Sequence, residues 1–159
     1  MAHRVFLGLG ANLDQPAEQI RAALRALDSL PQSRVIKSSA LYTSSPLGPQ
    51  DQPDYVNAVC LLETQLAPDE LLQQLQRLEI EQGRVKKRHW GERTIDLDIL
   101  LYDDLQLQSE HLQIPHSQMH LRDFVLVPLA EIAPGILVPG RDKVEELIAG
   151  LQDSFLRTI

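Results

Sequence analysis

Two hydrophobic periods alternate along this chain, and their order leaves few folds open. Residues 4–10 read as a strand, after which Asn12, Asp14 and Pro16 introduce a helix with the apolar stripe Ile20, Ala23, Leu24 and Leu27, stopping near Pro31. Strand-like runs follow at about 34–43 and 55–64. A second helix opens with Pro68, Asp69 and Glu70, carries Leu71, Leu72, Leu75 and Leu78 on one side, and ends at Gly83. Residues 94–102 form a fourth strand. Strand, helix, strand, strand, helix, strand is the order of the split βαβ or ferredoxin-like arrangement, an α+β fold whose antiparallel sheet is covered by helices. Leu105, Leu107, Leu112 and Ile114 suggest an added hairpin, 124–132 a short helix interrupted at Pro128, and Val144, Leu147, Ile148 and Leu151 a last amphipathic helix. The core therefore carries a C-terminal hairpin and helix extension.

The fourth strand holds the most chemistry. Ile95, Leu97, Ile99 and Leu101 fall on one face, and Asp96 and Asp98 on the other. Two carboxylates roughly 7 Å apart on one pleated face repel each other unless a cation lies between them, and oxygen donors without imidazole favour a hard ion such as Mg²⁺. Just upstream, Arg84, Lys86, Lys87, Arg88 and Arg93 supply five of the fifteen Lys and Arg residues, in a chain of net charge −7. Such a local inversion of charge suits a polyanion, and arginine grips phosphate oxygens in bidentate fashion. The plainer alternative is a solvated strand face whose aspartates are neutralised by Arg93 and its neighbours.

Length and composition restrict the rest. The 159 residues fit one domain, 1–159, and 43% hydrophobic content agrees with a soluble globular protein. The acidic balance argues against general nucleic-acid binding, and no run approaches a membrane span of about 18 apolar residues. The single Cys60 has no internal disulfide partner and reads as a small core residue. The N-terminal apolar run breaks at Asn12 and Asp14 without a cleavage pattern, so it reads as a strand, and the expected compartment is the cytoplasm. The expected oligomeric state is a monomer. Gly8-Leu-Gly10 begins a dinucleotide fingerprint that Leu13 leaves incomplete, and no G-x-x-x-x-G-K-[ST] loop exists. The stretch from Ser44 to Asp54, with Pro46, Gly48, Pro49 and Pro53, is longer than a hairpin requires and reads either as a functional lid or as disordered decoration. Glu79 flanks an apolar stripe, where a carboxylate requires a partner such as Arg84 or a ligand.

Several motifs in order make the chain recognisable: Gly-Leu-Gly-Ala-Asn-Leu from Gly8, Pro-Leu-Gly-Pro-Gln-Asp-Gln-Pro-Asp-Tyr at 46–55, His-Trp-Gly-Glu-Arg-Thr-Ile-Asp-Leu-Asp-Ile-Leu at 89–100, and Pro115-His116 followed by Arg122 and Phe124. Together they closely resemble the 6-hydroxymethyl-7,8-dihydropterin pyrophosphokinase family of folate biosynthesis. The likeness fades after residues 132–134. It implies transfer of the β,γ-pyrophosphoryl group of ATP to the pterin hydroxymethyl oxygen, with release of AMP. By that resemblance Asp96 and Asp98 hold two Mg²⁺ ions, and Arg84 and Arg93 neutralise the transferring group. Tyr55 and Phe124 sandwich the pterin, while Asn57 and backbone groups around Ser44, Ser45 and Leu47 read its edge. Gln76, Glu79, Trp90, Ile99, His116 and Arg122 are assigned to the nucleotide. Lys86 stands where relatives tend to have a second arginine, so Lys86, Lys87 and Arg88 receive no separate roles. Gly48, Gly83 and Gly91 are possible hinges and the cations of the second loop repel one another until a triphosphate binds, so the loops at 44–53 and 84–93 are expected to close together over the two substrates.

Two other functions fit parts of this pattern. A sugar-nucleotide transferase could use D-x-D to hold a metal-bound diphosphate, though it normally requires a larger nucleotide-binding domain. A non-catalytic ferredoxin-like module would explain the sheet and helices but not the Gly- and Pro-rich loops that flank paired aspartates and an aromatic pair.

Overall fold

The structure is a computed structural model, and it describes residues 2–13, 15–46, 50–83 and 95–156. Among these, the elements run β1 (His3–Ala11), α1 (Pro16–Asp28), β2 (Ser33–Ser38), β3 (Tyr42–Ser44), β4 (Tyr55–Thr64), α2 (Pro68–Glu81), β5 (Asp96–Tyr102), the short strands β6 (Leu107–Gln108) and β7 (Gln113–Ile114), α3 (Asp123–Ile132) and α4 (Val144–Ala149). The described main sheet has the order β2-β4-β1-β5, with β3 also paired to β4, and its ladders are antiparallel. This is the ferredoxin-like order anticipated from the alternating periods, and β6 with β7 is the added hairpin.

Alternation along the strands sorts the apolar residues onto two faces. Val5, Leu7, Leu9, Ala58, Cys60, Leu62, Leu97 and Ile99 pack with Ile20, Ala23 and Leu27 of α1 and with Leu71, Leu75 and Leu78 of α2. On the opposite face Phe6, Val59, Leu61, Leu100 and Leu101 pack with Val125, Leu126, Leu129 and Val144 beneath α3 and α4. Cys60 is fully buried, as its size and apolarity led us to expect.

Three local expectations are corrected. The single strand anticipated at 34–43 is two strands, because Ser39 interrupts it: its hydroxyl accepts the Val59 N–H and donates to the Ala40 carbonyl, replacing a regular ladder step. Leu101 does not share a face with Leu97 and Ile99. An irregularity in the β1–β5 register pairs Phe6 with Leu101 and Leu7 with Ile99, which turns both Leu100 and Leu101 toward the second core. Pro128 does not interrupt α3, which runs through it. A proline inside a helix costs about 3 kcal/mol, and here it is offset by the burial of Val125, Leu126, Pro128 and Leu129 along one short helix.

α3 is also tied to the sheet by polar contacts. Glu131 accepts hydrogen bonds from the Tyr42 hydroxyl and the Ala40 N–H. The bond to Glu131, assisted by burial, pushes the Tyr42 phenol up to about 12. These bonds hold β3 against the helix that begins at Asp123 and Phe124.

Candidate active site

The second sheet face is apolar over only part of its length. Beyond Phe6, Val59 and Leu100, the same face carries Gly8 and Gly10 on β1, Asn57 on β4, and Asp96 and Asp98 on β5. The register sets Gly10 beside Asp96 on one side and Asn57 on the other, and Gly8 beside Asp98 and Val59. The two glycines thus leave a floor without side chains between the carboxylates and the amide. A methyl group at Gly10 would lie 3.5 Å from the Asn57 Oδ1 and 3.7 Å from the Tyr55 Cδ1. Adjacent strands are about 4.8 Å apart, so two steps across this floor separate the Asp96 and Asn57 backbones by about 10 Å.

The carboxylate side is positioned by a neighbour on α2. Glu79, only 8% exposed, accepts the Leu97 N–H through its Oε2 at 2.8 Å. β5 lies at the end of the described sheet order, so the outward N–H of Leu97 requires an acceptor other than a strand, and Glu79 supplies it. Among the described residues, one partner of Glu79 is thus the strand between the two aspartates. Asp96 is half-buried and Asp98 exposed.

Arg122, just before α3, lies within range of the charge of Asp98. Burial pushes its guanidinium pKa down, while the charge of Asp98 pushes it up. Its Cζ stands 5.8 Å from the centre of the Phe124 ring, within cation–π range. His116 is nearby: its main-chain N–H donates to the Leu100 carbonyl of β5, and its Nδ1 accepts the Gln118 N–H at 3.1 Å. That acceptor role assigns the proton of the neutral ring to Nε2. Burial, with Arg122 adding to it, lowers the His116 pKa from 6.5 to about 4. The folded protein therefore binds the proton less readily than the unfolded chain, and the neutral ring's contribution to stability is lost as pH falls from about 6.5 toward 4. We expect the His116 ring signals in an NMR titration to stay flat down to about pH 5, and His116→Gln to flatten stability over that interval. A titration midpoint near 6.5 would contradict this.

On the amide side, Asn57 donates through Nδ2 to the Ser44 hydroxyl at 2.6 Å, and both residues are buried. Phe124 is half-buried at the start of α3, on the rim of the second core. Asn12, at the end of β1, donates to the Gln52 Oε1 and the Pro53 carbonyl, which pins the far limb of the anticipated lid to the sheet. Gln76 is exposed on α2, and no hydrogen bond among the described residues joins it to the aspartates. The Ile99 side chain packs in the α1 and α2 core, on the face opposite Asp96 and Asp98. Leu47, Arg84, Trp90 and Arg93 lie outside the described residues, as does the loop from 84 to 93.

Residues 6–134 match the profile of the family 7,8-dihydro-6-hydroxymethylpterin-pyrophosphokinase. The chain belongs to this family. The Haemophilus influenzae 2-amino-4-hydroxy-6-hydroxymethyldihydropteridine pyrophosphokinase is 53% identical over 148 residues, covering 93% of this chain and 92% of that protein. The Pseudomonas aeruginosa protein of the same name is 50% identical over 149 residues, covering 94% and 92%. A crystal structure of an HPPK-DHPS in complex with substrates is similar in fold, with a TM-score of 0.71 at 13% identity; the match covers 94% of this chain and 43% of that one.

For a pyrophosphokinase of this family, the structure gives places in the site to residues that pattern reading names only within motifs or leaves without a role. Gly8 and Gly10 clear the floor opposite the aspartates, a function visible only once the β1–β5 register is known. The Asn12–Gln52 contact joins positions 40 apart in sequence and has no periodic signature. Asp123 has no such signature either. It stands between Arg122 and Phe124, yet its partners lie more than 30 residues away.

Proposed function

We propose that the face of the sheet holding Asp96, Asp98, Gly8, Gly10 and Asn57 is the site where this chain moves pyrophosphate from ATP to 6-hydroxymethyl-7,8-dihydropterin. The chain is an ATP-dependent diphosphotransferase of folate biosynthesis. The reading of the site rests above all on one observation: two carboxylates and an amide with its aromatic neighbour stand on one face, separated by a floor of two glycines. That spacing suits a bisubstrate reaction, with a triphosphate at one end and a flat ring at the other.

Asp96 and Asp98 fit Mg²⁺. Both are hard oxygen donors on one strand face, which suits an ion that keeps phosphate and water oxygens as its other ligands. When bound, two such ions would neutralise the triphosphate and polarise the transferring group. The remaining work falls to the chain. Arg122 presents a planar fork within range of the charge of Asp98, and the family resemblance gives Arg84 and Arg93 the role of neutralising the transferring group. His116 offers Nε2–H as a neutral donor to the nucleotide. Glu79 holds the strand that carries both aspartates, so its effect is on their placement. Tyr55 and Phe124 stack on the pterin, and Asn57, with main-chain groups at Ser44, Ser45 and Leu47, binds its edge. Gln76, Trp90 and Ile99 complete the nucleotide side, where Ile99 can contribute its main chain. Catalysis is then positioning and charge compensation, with the pterin oxygen held in line with the β-phosphorus.

We further propose that residues 1–159 act as one domain and as a monomer, in the cytoplasm where ATP is supplied. Two cores built on one sheet support the single unit, and no described helix is long and apolar enough to cross a membrane.

AMP production tests this function. It should require ATP, Mg²⁺ and the hydroxymethyl pterin together, whereas pterin-independent ADP would contradict it. The pterin assignment has its own check. Phe124→Ala should weaken pterin binding by roughly tenfold, because a stacked ring contributes on the order of 1 kcal/mol beyond its buried area. Binding of a non-hydrolysable ATP analogue should change little. Equal losses for both ligands in calorimetry would show that Phe124 serves packing alone.

A further inference from the structure

The chain beyond α4 returns to the site. Asp123 is 7% exposed, and its Oδ2 accepts three hydrogen bonds from this returning segment: from the Ser154 hydroxyl at 3.3 Å, the Phe155 N–H at 2.9 Å and the Leu156 N–H at 3.1 Å. The buried Oδ1 has no partner among the described residues. A carboxylate in that position depends on the donors that reach it, so the three bonds fix the segment firmly.

The far side of the same segment touches the acceptor end of the site. The Phe155 carbonyl accepts the Ser45 N–H at 2.8 Å, and Leu156 forms an antiparallel bridge with Ser44. The Phe155 ring meets Phe124 edge to face, with centres 5.8 Å apart and planes at 83°. Ser44 in turn receives the Asn57 amide. One short stretch of chain is thus bonded or packed against Ser44, Ser45 and Phe124 at once. It lies outside the span 6–134 that matches the family.

We propose that Phe155, held by the Asp123 clamp, is a positioning residue for the pterin: it sets the Phe124 ring and, through its carbonyl, the Ser45 main chain. The proposal rests on the assignment of Phe124 and Ser45 to the pterin. An edge-to-face partner fixes the tilt of a ring more narrowly than an aliphatic neighbour does, because the positive edge of one ring seeks the negative face of the other. A stacking ring already held at one tilt loses less freedom when the flat substrate arrives, and so binds it more tightly. The segment therefore acts on the acceptor substrate without touching the phosphates.

Phe155→Leu keeps an apolar side chain and every main-chain bond. It should weaken pterin binding, measured with a saturating non-hydrolysable ATP analogue, by about three- to tenfold. Affinity for the analogue itself should stay within about twofold, and KM for the pterin should rise with little change in kcat. Phe155→Tyr, which retains the aromatic edge, should restore binding, and Asp123→Ala should reproduce the loss by releasing the segment. Phe124→Ala is the control. Unchanged pterin affinity in Phe155→Leu, alongside a loss in Phe124→Ala, would overturn the positioning role and leave the pterin site standing. Unchanged affinity in Phe124→Ala would remove the pterin assignment and the proposal with it. Equal weakening of both ligands by Phe155→Leu would reduce the contact to packing.

Discussion

Asp98→Ala and Asp96→Ala should each lower turnover by about three orders of magnitude or more, since several kcal/mol of charge stabilisation in a phosphoryl transfer depends on ligands of this kind. Their effect on the fold should be small. Asp98 is exposed, Asp96 half-buried, and each belongs to a pair of like charges whose repulsion the substitution relieves. Asp98 also compensates the partly buried Arg122, so its removal should cost up to about 1 kcal/mol. Asp104, exposed in the turn after β5, is the matching control, and Asp104→Ala should retain full activity. Denaturant melts and steady-state rates on the three variants separate the effects. Near-normal rates in both site variants would remove Asp96 and Asp98 from the reaction.

Arg122→Ala should have the next largest effect, on the order of a 10²-fold loss in kcat/KM. Arg122 joins the two ends of the site: its charge interacts with Asp98, its guanidinium stands over Phe124, and it helps keep His116 neutral. Arg122→Lys keeps the charge but loses the planar fork, so it should recover only part of the rate. It should also restore ATP-analogue binding more fully than turnover. Full activity in the lysine variant would mean that a point charge is sufficient there.

The two helices, the strand alternation and the element order were legible because each is a local period, and a period is written into consecutive residues. The placement of Asp96 and Asp98 on one face followed for the same reason. What could not be seen depends on register and on distant pairs. Leu101 changed faces because the β1–β5 ladder slips at Phe6, and nothing near Leu101 announces the slip. Ser39 broke a strand through a hydroxyl bonded 20 residues away. Glu79 is legible as a carboxylate in need of a partner, but the partner seen among the described residues is a main-chain N–H, which every residue except proline has, so charge patterning has no means to choose it. The local rule for Pro128 predicts a break, and the burial of its neighbours outweighs that rule. In the site, a resemblance spanning several motifs supplied the chemistry that spacing alone left open between a metal pair and a solvated strand face.

The central claim is that the chain transfers two phosphoryl groups as a unit, and ATP labelled at the β-phosphorus tests it most directly. In a single turnover with Mg²⁺ and 6-hydroxymethyl-7,8-dihydropterin, the label should appear in the pterin product while unlabelled AMP is released. Label retained in ADP, with a pterin monophosphate formed, would contradict the account.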